Sequence, residues 1–168
     1  AAAPMVWRVD AAASTLDIIY EIDGKPWRGQ FAVFKGEGVF DPNRLETAEM
    51  TLVIDTDSID VGNVFGTAVA KTSDWLDVGG HPEAVFELTR LTPKGGDLYG
   101  MAGILTLRGA SHEVVGEMTL DLDEAAVATG GARFDRSLYG VGVGFTALFV
   151  TIGDRIAVEF DLIARPAE

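Results

Sequence analysis

The sequence predicts an all-β fold, an extended antiparallel β-barrel of about eight strands, from three observations. Clusters of Gly, Pro and Asp recur about every dozen residues, segments between them alternate apolar and polar residues, and long helical periodicity is absent. Closing such a sheet buries one face of every strand and leaves no exposed edge. No repeat or linker divides the 168 residues, so we expect one domain over 1–168.

Composition restricts the classes of partner. The net charge of -13 argues against nucleic acid, which is bound by basic surfaces, and against electrostatic docking on an anionic membrane. The chain has no cysteine, which excludes disulfides and thiol chemistry. No apolar run in the sequence approaches the roughly 20 residues of a membrane-spanning helix.

The alternation is clearest in the first third of the chain. Residues 14–22 alternate, and a turn at 23–26 joins them to a strand over 29–34 that ends with Phe34. Residues 48–55 alternate again. The inward residues are Leu16, Ile18, Tyr20 and Ile22 in the first of these strands and Ala48, Met50, Leu52 and Ile54 in the last.

A short helical lid insertion is predicted around residues 63–78, where the alternation stops. One helix candidate covers 68–71, and Ser73 is a suitable N-cap for a second over 74–77. A long irregular insertion in a barrel is usually a lid or a functional loop. Trp75 would form the apolar underside of such a lid; the alternative is that it plugs one end of the barrel.

The segment 99–122 predicts a β-hairpin with an unevenly filled inward face. With the turn centred on Gly109-Ala110, the inward pairs are Leu105 with Val114, Gly103 with Gly116, Met101 with Met118 and Tyr99 with Leu120. Two opposed glycines leave space where side chains would stand, and methionine adapts to irregular apolar shapes. We interpret this as a hollow for a long apolar ligand. The alternative is that both glycines mark a bend or bulge that curls the sheet.

The remaining strands are less regular. Residues 84–91 predict a strand with Phe86 inward, 123–131 a loop or weak strand, and 133–136 a short strand. Gly153-Asp154 predicts the turn of a final hairpin. Its inward pairs are Thr151 with Ile156, Phe149 with Val158, Ala147 with Phe160 and Phe145 with Leu162.

Groups suited to catalysis are scarce in the sequence. His81 precedes a proline and His112 lies beside a turn, and no nucleophile elbow, phosphate-binding loop or metal-ligand spacing is present. Arg108 and Arg136 have two interpretations: contact with a ligand head group at the barrel mouth, or, more commonly, an ion pair or loop cap. We therefore expect a protein that is not an enzyme and uses no metal or cofactor.

A series of short motifs extends nearly from end to end of the chain. They are Trp7-Arg8-Val9-Asp10, Gly29-Gln30-Phe31, Phe34-Lys35-Gly36, Phe40-Asp41-Pro42, residues 54–63, 73–77 and 82–86, Gly103-Ile104-Leu105-Thr106-Leu107-Arg108-Gly109, and residues 135–142. In their order and spacing the chain resembles the YceI-like family, lipocalin-like barrels that bind polyisoprenoid lipids.

The resemblance implies an apolar tunnel for an isoprenoid lipid, an isoprenoid quinone or a fatty-acid-type amphiphile. It also implies export to the periplasm with removal of a signal peptide, and, in some relatives, fusion to a diheme b-type cytochrome. The chain departs from the family pattern at Gly66-Thr67, where Arg-Asp is common, and at His81, where an aromatic residue is common. These departures concern head-group preference more than the fold.

We predict that the protein binds, carries or sequesters a long apolar lipid in the barrel. The alternatives are a redox-associated or enzymatic module that acts on a quinone beside a membrane b-type cytochrome, and a structural module with a solid core. The sequence leaves open a homodimer and a membrane cytochrome as partners. The predicted ligand-binding residues are Ile18, Tyr20, Phe34, Leu52, Trp75, Phe86, Met101, Gly103, Leu105, Val114, Gly116, Met118, Phe145, Phe149 and Phe160.

Overall fold

Eleven β-strands and one α-helix make up the regular structure of the computed structural model, which describes residues 5–41, 43–143 and 148–167. The strands are β1 (Met5–Val9), β2 (Thr15–Ile22), β3 (Lys25–Phe31), β4 (Phe34–Asp41), β5 (Arg44–Asp55), β6 (Ile59–Asp60), β7 (Glu83–Gly95), β8 (Leu98–Leu107), β9 (Ala110–Leu122), β10 (Ala126–Asp135) and β11 (Arg155–Pro166). The helix, α1, is Val64–Ala70, and short 3-10 turns cover Ala11–Ala13, Thr56–Ser58 and Arg136–Tyr139.

Eight of the strands close into an antiparallel barrel in the order β1-β4-β5-β7-β8-β9-β10-β11, and β11 pairs back with β1. β11 also pairs with β2, through residues 157–161. β1 and β2 therefore pair with different parts of the same strand, β11. β3 and β6 extend the wall beyond β2. The predicted eight-stranded, all-β barrel is confirmed.

The predicted alternation in the first strands is also confirmed. Leu16, Ile18 and Tyr20 are buried on the inward face of β2, and Leu52 and Ile54 are buried on that of β5, because successive side chains of a strand point to opposite faces. The predicted strand over 29–34 is wrong as a single element. The chain breaks at 32–33, so Phe31 ends β3 and Phe34 begins β4.

The hairpin of β8 and β9 has a different register from the predicted one. Its turn is Arg108-Gly109, both with positive φ (54° and 78°), as a two-residue type I′ loop requires. The pairs are Gly103 with Val114, Met101 with Gly116 and Tyr99 with Met118. The partners are shifted by two residues, which preserves the inward face, but Gly103 and Gly116 do not oppose one another.

The predicted final hairpin is wrong. β11 pairs with β10 along its length, with Phe134 opposite Ile156, Ala132 opposite Val158 and Gly130 opposite Phe160. β10 is therefore one continuous ten-residue strand, where a loop and a short strand were expected. Residues 148–151 lie outside the strands, and 145 and 147 lie outside the described residues.

The predicted insertion contains one helix. Asn63 caps α1 by accepting a hydrogen bond from the backbone nitrogen of Gly66 at 2.6 Å, which satisfies one of the free amides of the first turn. Residues 74–76 form turns instead of the second helix that was expected over 74–77, and the backbone nitrogen of Gly142 donates to the carbonyl of Asp74 at 2.6 Å. The insertion is thus tied to the loop that follows the last 3-10 turn. Of the helical segments that the structure describes, none has the length and apolar character to span a membrane.

Candidate functional site

A cavity of about 160 Å³ lies inside the barrel. Apart from Glu49, which is exposed, every described residue that lines it is apolar. Seven of the predicted ligand-binding residues line this cavity, namely Leu52, Phe86, Met101, Leu105, Val114, Met118 and Phe160. The inward faces of the hairpin and of the neighbouring strands thus meet around one apolar space.

Four predicted residues are buried beside the cavity but do not line it: Ile18, Tyr20, Phe34 and Trp75. Trp75 is 5% exposed, and its ring packs against Tyr20 with centroids 5.6 Å apart. A Cβ at Gly142 would lie 3.5 Å from the Trp75 ring. Trp75 is therefore buried where the insertion meets the barrel, a position that both the lid and the plug interpretations share.

Tyr139 is buried next to the cavity wall. Its hydroxyl donates to the carbonyls of Leu105 at 3.2 Å and His112 at 3.4 Å, and its ring meets the cavity-lining Phe134 edge-on at 5.2 Å. Burial raises the pKa of Tyr139 and also that of Tyr20, because desolvation disfavours the phenolate. Both phenols remain neutral donors at ordinary pH.

The two arginines singled out in the sequence hold loops. Arg108 donates to the carbonyls of Ser73, Trp75 (2.8 Å) and Tyr139 (3.1 Å), so the hairpin turn is bonded to the insertion. Arg136 donates to four carbonyls, those of Gly153 (2.9 Å) and of Val141, Gly142 and Ile152 (3.2 Å each). The structure supports the loop-cap interpretation for both.

At the opposite end of the barrel, Trp7 and Phe40 stack with ring centroids 5.0 Å apart and an interplanar angle of 10°. Trp7 is 7% exposed, and its indole nitrogen Nε1 is buried with no acceptor among the described residues. Phe40 lines the cavity. Aromatic residues therefore lie at both ends of the barrel, Trp7 and Phe40 at one end and Tyr139 at the other.

The two hairpin glycines do not form a hollow. A Cβ at Gly103 would collide with the ring of Phe86 and lie 2.6 Å from the carbonyl oxygen of Glu87. A Cβ at Gly116 would collide with the carbonyl oxygen of Gly131 and lie 2.9 Å from the Cβ of Ala132. Both positions are crowded, so these glycines allow the strands to approach closely, as in the alternative interpretation.

The predicted inward position of Phe149 is wrong, because its side chain is 71% exposed and does not line the cavity. Phe145 lies outside the described residues.

Sequence reasoning missed lining residues on β10. Ala126, Ala128, Ala132 and Phe134 all line the cavity, and they share a face at a spacing of two, but Gly130 interrupts the series and weakens the signal. Val9 and Phe40 line the cavity and were missed as well. Both belong to motifs that indicate the family, but those motifs do not show which way a side chain points.

The histidines stay apart from the cavity. His112 lies 3.1 Å from the carbonyl of Leu138 through Nε2, and His81 lies 3.9 Å from the Asp77 carboxylate. Within residues 5–41, 43–143 and 148–167, no group of three or more His, Cys, Asp and Glu side chains is placed to hold a metal ion.

The chain matches one family model and is similar to several proteins of known structure. The family model for the YceI-like domain matches residues 7–164. The crystal structure of Burkholderia cenocepacia BcnA is similar with a TM-score of 0.86 and 26% identity, over 92% of this chain and 98% of that one. A domain from Saccharophagus degradans, described as polyisoprenoid binding and implicated in plant cell wall breakdown, is similar in fold with a TM-score of 0.78 and 17% identity, over 97% and 99%.

Curated relatives carry the name UPF0312. The protein from Vibrio campbellii is 30% identical over 87 residues, which is 52% of this chain. The match spans about half, 46%, of the length of that relative.

Proposed function

The chain belongs to the YceI-like family, and on that premise we propose that it binds, carries or sequesters a long apolar lipid in the barrel. The ligand classes are a polyisoprenoid, an isoprenoid quinone or a fatty-acid-type amphiphile. The observation that carries the proposal is the apolar lining of the cavity. Burial of a hydrocarbon there contributes roughly 25 cal/mol for each Å² removed from water, so binding needs little polar contact.

The cavity volume sets a condition on the ligand. A volume of about 160 Å³ resembles that of an engineered apolar cavity of about 150 Å³ that binds benzene, which is room for about one isoprene unit. A longer tail therefore has to displace side chains. Met50, Met101 and Met118 line the cavity and are the flexible members of its wall, so we expect them to change rotamer when the ligand binds.

The direct test is extraction and native mass spectrometry of the purified protein, followed by titration with a prenyl quinone. We expect a co-purifying lipid, or uptake of the quinone by protein that has been stripped of lipid. If the protein carries no lipid and takes up no quinone, the proposal is wrong.

A cavity-filling variant tests the location of the ligand. Ala128 lines the cavity on β10, so Ala128→Leu adds three carbons inside it and should reduce quinone affinity about tenfold or more, since each buried methylene group contributes about 0.8 kcal/mol. Thr129→Leu places a similar side chain on the exposed outer face of the same strand and should leave affinity unchanged. Equal effects of the two variants would place the ligand elsewhere.

A redox or enzymatic role on a bound quinone requires polar groups that converge on the ligand. Among the described lining residues, Glu49 alone has a polar side chain, and it is exposed. The lining supports binding, and we propose a non-enzymatic role. The distinguishing measurement is the absorbance of a bound quinol or quinone over time: conversion that depends on the protein would favour the enzymatic alternative.

The proposal extends to the periplasm as the compartment, which the family resemblance supports. Cell fractionation tests this, and recovery in the cytoplasm would contradict it. A homodimer is tested by sedimentation, and a membrane b-type cytochrome as partner by co-purification from detergent extracts.

A further inference from the structure

Two indole nitrogens in the core lack a hydrogen-bond acceptor. Nε1 of Trp7 and Nε1 of Trp75 are buried, and neither has a partner within the part of the chain that the structure describes. Leaving a buried donor unpaired is unfavourable, so such groups in native proteins need an explanation.

Neither indole itself lines the cavity, but the two differ in the residues that surround them. Trp7 packs in a buried cluster whose other members all line the cavity: Ala48, Leu91, Met101, Met118, Leu120 and Ala126. Its stacking partner Phe40 also lines it. Trp75 packs instead with Tyr20, and neither of these residues lines the cavity.

The surroundings of Trp7 restrict what its N–H could bind. An indole N–H is a neutral group that can only donate, so its partner must be an acceptor. No Lys or Arg appears among the described residues that line the cavity, and a charged group without a counter-ion is very costly in an apolar site. A phosphate or carboxylate head group is therefore disfavoured, whereas an uncharged oxygen is compatible with the site.

We propose that Trp7 Nε1 donates a hydrogen bond to an uncharged oxygen of an amphiphile whose hydrocarbon part lies in the cavity. The acceptor is a carbonyl or ether-type oxygen, as a ketone, an ester or a quinone ring provides. This inference rests on the proposed lipid-binding function and adds an orientation to it. The oxygen lies at the Trp7–Phe40 end, and the hydrocarbon extends toward Tyr139.

A matched pair of ligands tests this without assuming the natural one. The probes are a prenyl methyl ketone and the hydrocarbon of the same length in which a methylene group replaces the carbonyl; a prenyl quinone and a prenyl ester form further arms that separate the sources of the oxygen. The wild-type protein should bind the ketone more tightly than the hydrocarbon. Trp7→Phe should weaken ketone binding about three- to tenfold, the range of one neutral hydrogen bond, and leave hydrocarbon binding unchanged.

Trp75→Phe is the matched control, because it removes the other unpaired indole N–H, and it should change neither affinity. If Trp7→Phe weakens both ligands equally, or neither, the inference is wrong while lipid binding stands. If the wild-type protein binds neither ligand, the proposed function itself fails.

A second measurement uses the wild-type protein, so it does not depend on whether Trp7→Phe folds. The chain has three tryptophans, and the variants Trp27→Phe and Trp75→Phe assign their indole ¹⁵N–¹H resonances. The ketone should move the Trp7 indole proton downfield and the hydrocarbon should not. Equal shifts with both ligands would overturn the inference.

Discussion

At the scale of single residues, the ring of Phe86 occupies the space that a Cβ at Gly103 would need. We therefore expect Gly103→Ala to destabilise the fold by about 1–3 kcal/mol through overpacking. Gly100→Ala in the same strand is the control, because its Cβ would meet only the flexible end of Lys94, at 3.1 Å from Cε. Urea unfolding of both variants measures the difference, and equal midpoints would show that Phe86 moves aside without penalty.

Gly103 also illustrates a limit of sequence reasoning. Glycine in a strand is compatible with a void and with a close approach, because both require the absence of a side chain. The sequence contains Phe86 but not the register that brings its ring to Gly103. The inward orientation of Met101 and Leu105 could be predicted, since it depends only on the period of the strand.

Asp135 gives a pH-dependent prediction. Its carboxylate accepts hydrogen bonds from the hydroxyl (2.7 Å) and backbone nitrogen (2.9 Å) of Ser137, which lower the pKa of Asp135 below its ordinary value of 3.8. Since the folded-state pKa is the lower one, this contribution to stability is complete above pH 3.8 and is lost as the pH falls through the folded-state value.

Asp135→Ala should therefore lower the melting temperature at neutral pH, and the difference from the wild type should shrink below the ordinary pKa. Melting curves at a series of pH values measure it. Asp154→Ala is the control, because the Asp154 side chain is 91% exposed and forms only a weak ion pair with Arg136 at 4.0 Å. A constant difference for Asp135→Ala down to the most acidic pH would contradict the assignment.

At the scale of elements, Arg136 holds the described residues on both sides of the segment where a final hairpin was predicted. Its guanidinium is 15% exposed and bonds carbonyls on both sides of the loop, including Gly142 and Ile152. Arg136→Lys keeps the charge but loses the planar, multidentate geometry. We expect a loss of about 2–4 kcal/mol, the range of one or two hydrogen bonds to a charged group.

Unfolding by urea measures the loss, and hydrogen exchange should show faster exchange at Gly153, whose amide bonds to Glu21. Arg44→Lys, at a side chain 68% exposed, is the matched control and should have little effect. Unchanged exchange at Gly153 in Arg136→Lys would mean that this region does not depend on the Arg136 hydrogen bonds.

A comparison of β5 with β10 shows why one strand was predictable from the sequence and the other was not. β5 alternates over Ala48 to Asp55 with no interruption, so its existence and inward face follow from the sequence. β10 contains Gly130 and Gly131, where added Cβ atoms would approach the backbone of β9 and β11. The close approach of the neighbouring strands requires glycine at positions 130 and 131. The sequence of β10 alone does not show this requirement.

At the scale of the whole molecule, barrel closure decides which inward residues share a space. The sequence predicted that faces such as those of β5 and β8 are apolar, but not that Phe134 of β10 and Val9 of β1 complete the same cavity. Closure depends on strand order and stagger, and the return of β11 to β1 joins residues from opposite ends of the chain. The cavity follows from the complete set of pairings.

The cavity size leads to a prediction for ligands of increasing length. Methyl ketones with progressively longer saturated chains should gain about 0.8 kcal/mol per added methylene group while the chain fills the space that exists. Beyond the length that about 160 Å³ can hold, each further carbon requires the methionines to rearrange, so the gain per carbon should fall. Isothermal titration across the series measures the break, and a negative heat-capacity change should accompany the initial part.

The cavity-filling variant Ala128→Leu should move this break to a shorter chain, because its side chain occupies part of the same volume. The affinities should depend little on salt although the net charge is -13, since an uncharged ligand in an apolar cavity has no charge for ions to screen. An affinity independent of chain length in both proteins would mean that the hydrocarbon stays outside the barrel. The apolar cavity would then have a structural role only.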